Sequence, residues 1–89
     1  MDSPQRFLLR ALLQGMGDAV RRNDGSAGGR YYRRIGLIAR QHFDTNPSLS
    51  NTIERLLSAS GRWLATSVAE RYEPENQVIA HIELVLELL

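Results

Sequence analysis

The chain has 89 residues, of which 43% are hydrophobic and 24% charged, so it is long enough for one domain with a modest core. It contains no cysteine, which excludes disulfides, thiolate nucleophiles and cysteine-bound metals. All eleven basic residues are arginine, and the net charge is only +1. Residues 1–44 hold eight arginines against four aspartates, whereas residues 45–89 hold three arginines against six glutamates.

Two helices separated by a glycine-rich segment are predicted in the first half of the chain. Ser3, followed by a proline, is typical of the start of a helix, which we expect over residues 4–22. Three glycines in residues 23–29 predict a flexible loop. The second helix is predicted over residues 30–43, and it ends before Pro47 because the residue preceding a proline disfavours the α conformation.

Three further short helices are predicted over residues 48–60, 62–72 and 75–89. Gly61 interrupts the apolar pattern between the first two, and Pro74 separates the second from the third. No alternating pattern typical of a β-strand competes with this interpretation. The sequence therefore predicts an all-α fold, a single compact bundle of four to five short helices.

The last predicted helix is apolar on almost every side. A helix of this kind is buried centrally or in a subunit interface. In so small a chain we expect an interface, and therefore a homodimer. The expected interface residues are Val78, Ile82, Val85, Leu86 and Leu89.

Catalytic and membrane functions find no support in the sequence. His42 and His81 lie on separate predicted helices, and neither belongs to a metal-binding or nucleophile motif. No apolar run is long enough to span a membrane, and no secretory signal fits the N-terminus. We expect a non-enzymatic, cytoplasmic protein that uses no cofactor and no metal.

Four apolar residues of the first helix are spaced by four, three and four positions: Leu9, Leu13, Met16 and Val20. This spacing places their side chains along one stripe of an α-helix. Gly17 and Asp18 follow the third of them. Any core-facing helix of a small bundle has the same spacing, in which case Gly17 is a packing glycine and Asp18 a surface carboxylate.

The stripe with its Gly-Asp step resembles the BH3 motif of the Bcl-2 family, whose four apolar residues enter a hydrophobic groove and whose aspartate pairs with an arginine of the groove. Gly61 and Arg62 resemble the Gly-Arg pair of the family's BH1 segment, and they follow Gly17 and Asp18 at an interval similar to the family's. The resemblance implies a truncated Bcl-2-like regulator of apoptosis, such as a virus would carry, that works by binding a helix in a groove.

Two mechanisms fit this resemblance. The chain offers the first-helix stripe, with Asp18, as a ligand for another protein's groove. Alternatively, it forms a groove of its own around Arg62, with an apolar lining of Ile35, Ile38, Leu56 and Leu57.

A bacterial or phage dimeric regulatory protein is the competing hypothesis. As a secretion-type chaperone, the chain would hold its partner on an exposed apolar helix over residues 78–89. As a nucleic-acid-associated factor, it would contact phosphates through one contiguous face of arginines. The arginines expected on that face are Arg21, Arg22, Arg30, Arg33 and Arg34.

Overall fold

Four α-helices and one turn of 3-10 helix make up the part of the chain that the structure describes. The structure, a computed structural model, describes residues 3–42 and 46–89. The elements are α1 (Ser3–Arg21), α2 (Gly25–His42), α3 (Pro47–Ala65), a 3-10 turn (Val68–Glu70) and α4 (Tyr72–Leu88). No strand occurs within those two ranges, so the predicted all-α bundle is confirmed.

The helices form a bundle in which each packs against its neighbours in the chain and α4 packs back against α1. Residues late in α1 lie beside residues early in α2, as Gly15 does beside Tyr31, so the two helices run antiparallel. In this arrangement α2 and α4 occupy opposite corners. The Cα radius of gyration is 12.2 Å, which matches the value of about 12 Å expected for a compact single chain of this length.

One continuous apolar core runs through the bundle and takes residues from all four helices. Its buried members are Leu9, Leu12, Leu13, Met16, Val20, Ile35, Ala39, Leu49, Ile53, Leu56, Trp63, Val78, Ile82 and Val85. Each fully buried large side chain contributes about 1.5–3 kcal/mol relative to an exposed one.

The chain reverses between α1 and α2 in a tight turn, so the predicted flexible loop over 23–29 is wrong. Asn23 has a φ of 56°, the left-handed conformation that ends many helices. The amide of Asp24 then donates to the carbonyl of Ala19 at 2.8 Å, which closes α1. The Asp24 carboxylate in turn accepts from the Ala27 amide at 3.1 Å and so caps α2.

Two helices were predicted over 48–60 and 62–72, but a single helix, α3, covers the whole of the first range and the start of the second. The Asn46 side chain caps it by accepting from the amide of Ser48 at 3.1 Å. Gly61 lies within the helix, because a glycine there costs only about 1 kcal/mol and tertiary packing outweighs that cost. Beyond Ala65 the predicted helical residues form the 3-10 turn and its flanks.

The remaining predicted boundaries differ little from those observed. The first helix was expected over 4–22 and spans Ser3–Arg21. The last helix was expected from residue 75 and begins at Tyr72, so its proline falls in the first turn, where no amide hydrogen bond is lost. The expected end of the second helix at residue 43 lies outside the described residues.

Trp63 is fully buried and joins α2, α3 and the segment before α4. The guanidinium carbon of Arg71 lies 4.5 Å from the centre of its ring, within the range of a cation–π interaction. Arg71 also donates to the Asn23 side chain at 2.9 Å and to the Thr66 carbonyl at 2.9 Å. On another side, Gly28 approaches the indole so closely that a Cβ there would lie 2.5 Å from Cζ3.

This close approach predicts that Gly28→Ala destabilises the protein. The fully buried indole has no room to move away, so the free energy of unfolding should fall by about 1–3 kcal/mol. Gly29→Ala is the matched control, because a Cβ at Gly29 meets no atom within 4 Å. It should raise stability by about 0.5–1 kcal/mol. Urea denaturation followed by circular dichroism measures both values, and equal effects of the two substitutions would contradict the packing described.

The Arg71 contacts predict that Arg71→Met lowers the free energy of unfolding by about 2–3 kcal/mol, because it removes a cation–π interaction and hydrogen bonds from a charged donor. Arg62→Met is the control, since the Arg62 side chain is exposed, and it should change stability by less than about 0.5 kcal/mol. Thermal unfolding followed by circular dichroism measures the difference. Similar losses for the two variants would show that Arg71 does not hold the connection.

Candidate functional site

The outward face of α2 combines arginines with one exposed leucine. Spacings of three and four residues place them on one side of the helix. The residues are Arg30, Arg33, Arg34, Leu37 and Arg40, and all of them are exposed. We call the four arginines the arginine face. Leu37 lies among them, and 56% of its surface is exposed to solvent.

An open groove of about 430 Å³ lies between α2 and α3 beside this face. We call it the α2–α3 groove. Its lining residues are Tyr32, Arg33, Gly36, Leu37, Arg40, Glu54 and Leu57. A Cβ at Gly36 would meet no atom within 4 Å, so the groove is open above the backbone of α2.

A smaller groove of about 210 Å³ lies on the other side of Leu37, between α1 and α2. Its lining is mostly apolar and includes Leu8, Leu12 and Ile38, with Arg34 at its edge. Leu37 lines both grooves and therefore forms a ridge between them.

The charges around the α2–α3 groove favour an anionic, partly apolar ligand. Arg33 and Arg40 line it, and Glu54 is the one carboxylate in the lining described. Between residues 3–41 and 46–89, no ion pair joins the arginine face to a carboxylate. Guanidinium groups can pair with a ligand's carboxylates, and the leucines of the lining supply apolar surface between them.

The BH3-like stripe of α1 faces the chain's own core. Leu9, Leu13, Met16 and Val20 have at most 1% of their surface in solvent. The alternative of a core-facing helix is therefore confirmed, and the ligand mechanism lacks exposed apolar residues in this fold. Gly17 is a packing glycine: a Cβ there would lie 3.8 Å from Ile82 Cδ1 of α4. Asp18 is exposed.

The BH1-like pair does not line the α2–α3 groove. Gly61 packs near Tyr32, whose hydroxyl would lie 3.6 Å from a Cβ at that position. Arg62 is exposed and is not among the residues that line the groove. The arginines that line the groove are Arg33 and Arg40.

The apolar lining expected for the groove is divided between core and surface. Ile35 and Leu56 are buried in the core, whereas Leu57 lines the α2–α3 groove and Ile38 lines the smaller one. Sequence analysis missed Leu37, although its position among the arginines at helical spacing was the available signal.

The residues expected at a dimer interface belong mainly to the core of the single chain. Val78, Ile82 and Val85 are buried against α1 and α3, so their assignment to an interface is wrong. Leu86 and Leu89 are half-buried and pack against the same core. This burial reduces the exposed apolar surface that the chaperone hypothesis expects on α4, where Leu84 and Leu88 remain exposed.

The arginines expected on one nucleic-acid-binding face are divided between two regions. Arg30, Arg33 and Arg34 lie on the arginine face with Arg40, which sequence analysis did not include. Arg21 lies instead toward α4, because its Nη1 would be 3.6 Å from a Cβ at Gly17, beside Ile82. Arg22 is exposed in the turn that follows α1.

The burial of the BH3-like stripe predicts that substitutions of two adjacent leucines destabilise the protein to different extents. Leu9→Ala removes a fully buried side chain and should lower the free energy of unfolding by about 2–5 kcal/mol. Leu8 is 50% exposed, so Leu8→Ala should cost about 1 kcal/mol or less. Denaturation curves of the two variants test this, and a stable Leu9→Ala protein would reopen the ligand mechanism.

Comparison of the chain with models of known protein families, with curated proteins and with solved structures finds no match. Within the described ranges, no group of three or more histidine, aspartate or glutamate residues is placed to hold a metal ion. None of the described helices combines the length and the apolar character needed to cross a membrane.

Proposed function

We propose that this protein is a small, non-enzymatic binding module that holds an acidic amphipathic helix of a partner protein in the α2–α3 groove. The observation that carries the proposal is the placement of Leu37 and Leu57 between Arg33 and Arg40 around an open groove. In helix-in-groove recognition, apolar residues one turn apart enter the groove and polar residues at its rim fix the orientation.

The charge of the groove indicates which helices it prefers. If a leucine of the partner helix enters the groove, a carboxylate one turn away on that helix would meet Arg33 or Arg40, which line the groove. A lysine or arginine at the same place would meet like charges, which disfavours basic helices. Specificity therefore combines attraction for acidic helices with repulsion of basic ones.

The Bcl-2-like form of the proposal assigns a BH3 helix, and a role in regulating apoptosis, to this groove. Its support is the helix-lined groove itself and the aspartate that such a helix carries. In this form Arg33 or Arg40 pairs with that aspartate, because Arg62 lies off the groove.

Nucleic-acid binding is a second candidate function, favoured by the four exposed arginines on one side of α2. Phosphate contacts release counterions, so this kind of binding weakens steeply with salt. Groove binding depends on Leu37 and is much less sensitive to salt. The two candidates therefore differ in a measurable property.

Fluorescence anisotropy with labelled peptides tests the proposal. Three peptides share one leucine stripe and carry glutamates, lysines or neutral residues beside it, and BH3 peptides are paired with their Asp→Ala forms. The glutamate peptide should bind most tightly, at least about tenfold tighter than the lysine peptide, which corresponds to about 1.4 kcal/mol. Equal binding of these two peptides would contradict the proposal.

Variants identify the site on the protein. Leu37→Glu should abolish peptide binding without unfolding the chain, because Leu37 is largely exposed. Arg33→Gln combined with Arg40→Gln should weaken binding about tenfold, whereas Arg62→Gln should leave it unchanged. If a labelled DNA duplex binds with a steep salt dependence and Leu37→Glu does not affect it, the arginine face serves nucleic acid instead.

A further inference from the structure

The outward side of α4 carries a short apolar stripe beside glutamates. Leu84 and Leu88 are 48% and 40% exposed, and their spacing of four places them one turn apart on the same side. Glu83 and Glu87 are exposed next to them with the same spacing. No arginine or lysine occurs in α4. We call Glu83, Leu84, Glu87 and Leu88 the α4 stripe, which is itself an exposed acidic amphipathic helix face.

The α4 stripe and the arginine face cannot meet within one chain. The helices that carry them occupy opposite corners of the bundle, since α1 and α3 each pack against both. The α2 sequence Gly25–His42 contains no acidic residue, and that of α4 contains no basic residue other than His81. The two surfaces are complementary in charge, and this complementarity is unused in the monomer.

We propose that the α2–α3 groove of one molecule binds the α4 stripe of a second copy of this chain. The proposal rests on the proposed function, because it names a partner for the same groove. Leu84 and Leu88 pack against Leu37 and Leu57, and Glu83 and Glu87 lie beside the arginines of the groove.

The position of the two surfaces determines the kind of assembly. Each molecule uses its groove on one side and its α4 stripe on the other, which is a heterologous contact. Such contacts build rings or open chains, whereas an isologous contact builds a closed dimer. A single helix face on a groove buries less than the roughly 800 Å² per partner typical of stable complexes. The association is therefore weak and reversible, and an acidic helix of another protein competes with it.

Sedimentation velocity of the full chain over a wide concentration range tests the proposal with charge-reversed variants. The groove variant carries Arg33→Glu and Arg40→Glu, and the stripe variant carries Glu83→Arg and Glu87→Arg. Wild-type protein should form species larger than a monomer as its concentration rises. Each variant alone should have its dissociation constant raised by about tenfold or more, because like charges then face each other. An equimolar mixture of the two should associate again, since opposite charges face each other in every contact.

A control variant with Arg6→Glu and Arg10→Glu makes the same change in net charge at exposed positions of α1. It should associate as the wild type does. Continued association of the groove variant alone would overturn the proposal and indicate contact through other surfaces. A wild-type protein that stays monomeric at every concentration would also overturn it.

Peptide binding separates failure of this proposal from failure of the proposed function. The stripe variant keeps its groove intact, so it should bind the acidic peptide with wild-type affinity. If the wild type binds the acidic peptide but stays monomeric at every concentration, only the proposal of a second copy as partner is wrong. If no acidic peptide binds and the wild type stays monomeric, both proposals are wrong.

Discussion

The burial of Trp63 between Gly28 and the guanidinium of Arg71 is the constraint on which the arrangement of the helices depends. The indole brings α2 against α3, and Arg71 connects the segment before α4 to Asn23 in the first turn. The indole Nε1 has no hydrogen-bond partner among the described residues, so its position rests on packing and on Arg71. The α2–α3 groove lies further along α2 and α3 from the close contact between Gly28 and Trp63.

The fold could be predicted from the sequence to the extent that it follows helical periodicity. The apolar spacing of α1 and α3 indicated helices whose buried sides the structure confirms. The segment 23–29 could not be predicted correctly by counting glycines, because its conformation depends on the left-handed Asn23 and on close packing of Gly28 against a distant tryptophan. Propensity describes the isolated segment, whereas the partner of Gly28 is brought there only by folding.

The candidate site could be predicted only in part, for a similar reason. The sequence indicated Arg30, Arg33 and Arg34 of α2 and the apolar Leu57, since charge and periodicity are local properties. Leu37 was missed because apolar residues at positions 35, 37 and 38 obscure the edge of the buried side, although its helical spacing from the arginines indicated exposure. The sequence also placed Val78 in an interface, because an apolar helix gives no sign of how much surface its own chain can cover.

The tight turn at Asp24 has a consequence for the order in which the chain folds. One residue closes α1 through its amide and opens α2 through its carboxylate, so contacts close in sequence already define part of the junction between the two helices. Contacts close in sequence cost little loop entropy and form quickly. We therefore expect the α1–α2 hairpin to be the nucleus of a fast-folding chain. The packing of α4 against α1, which joins the two ends of the sequence, is then the last and slowest contact to form.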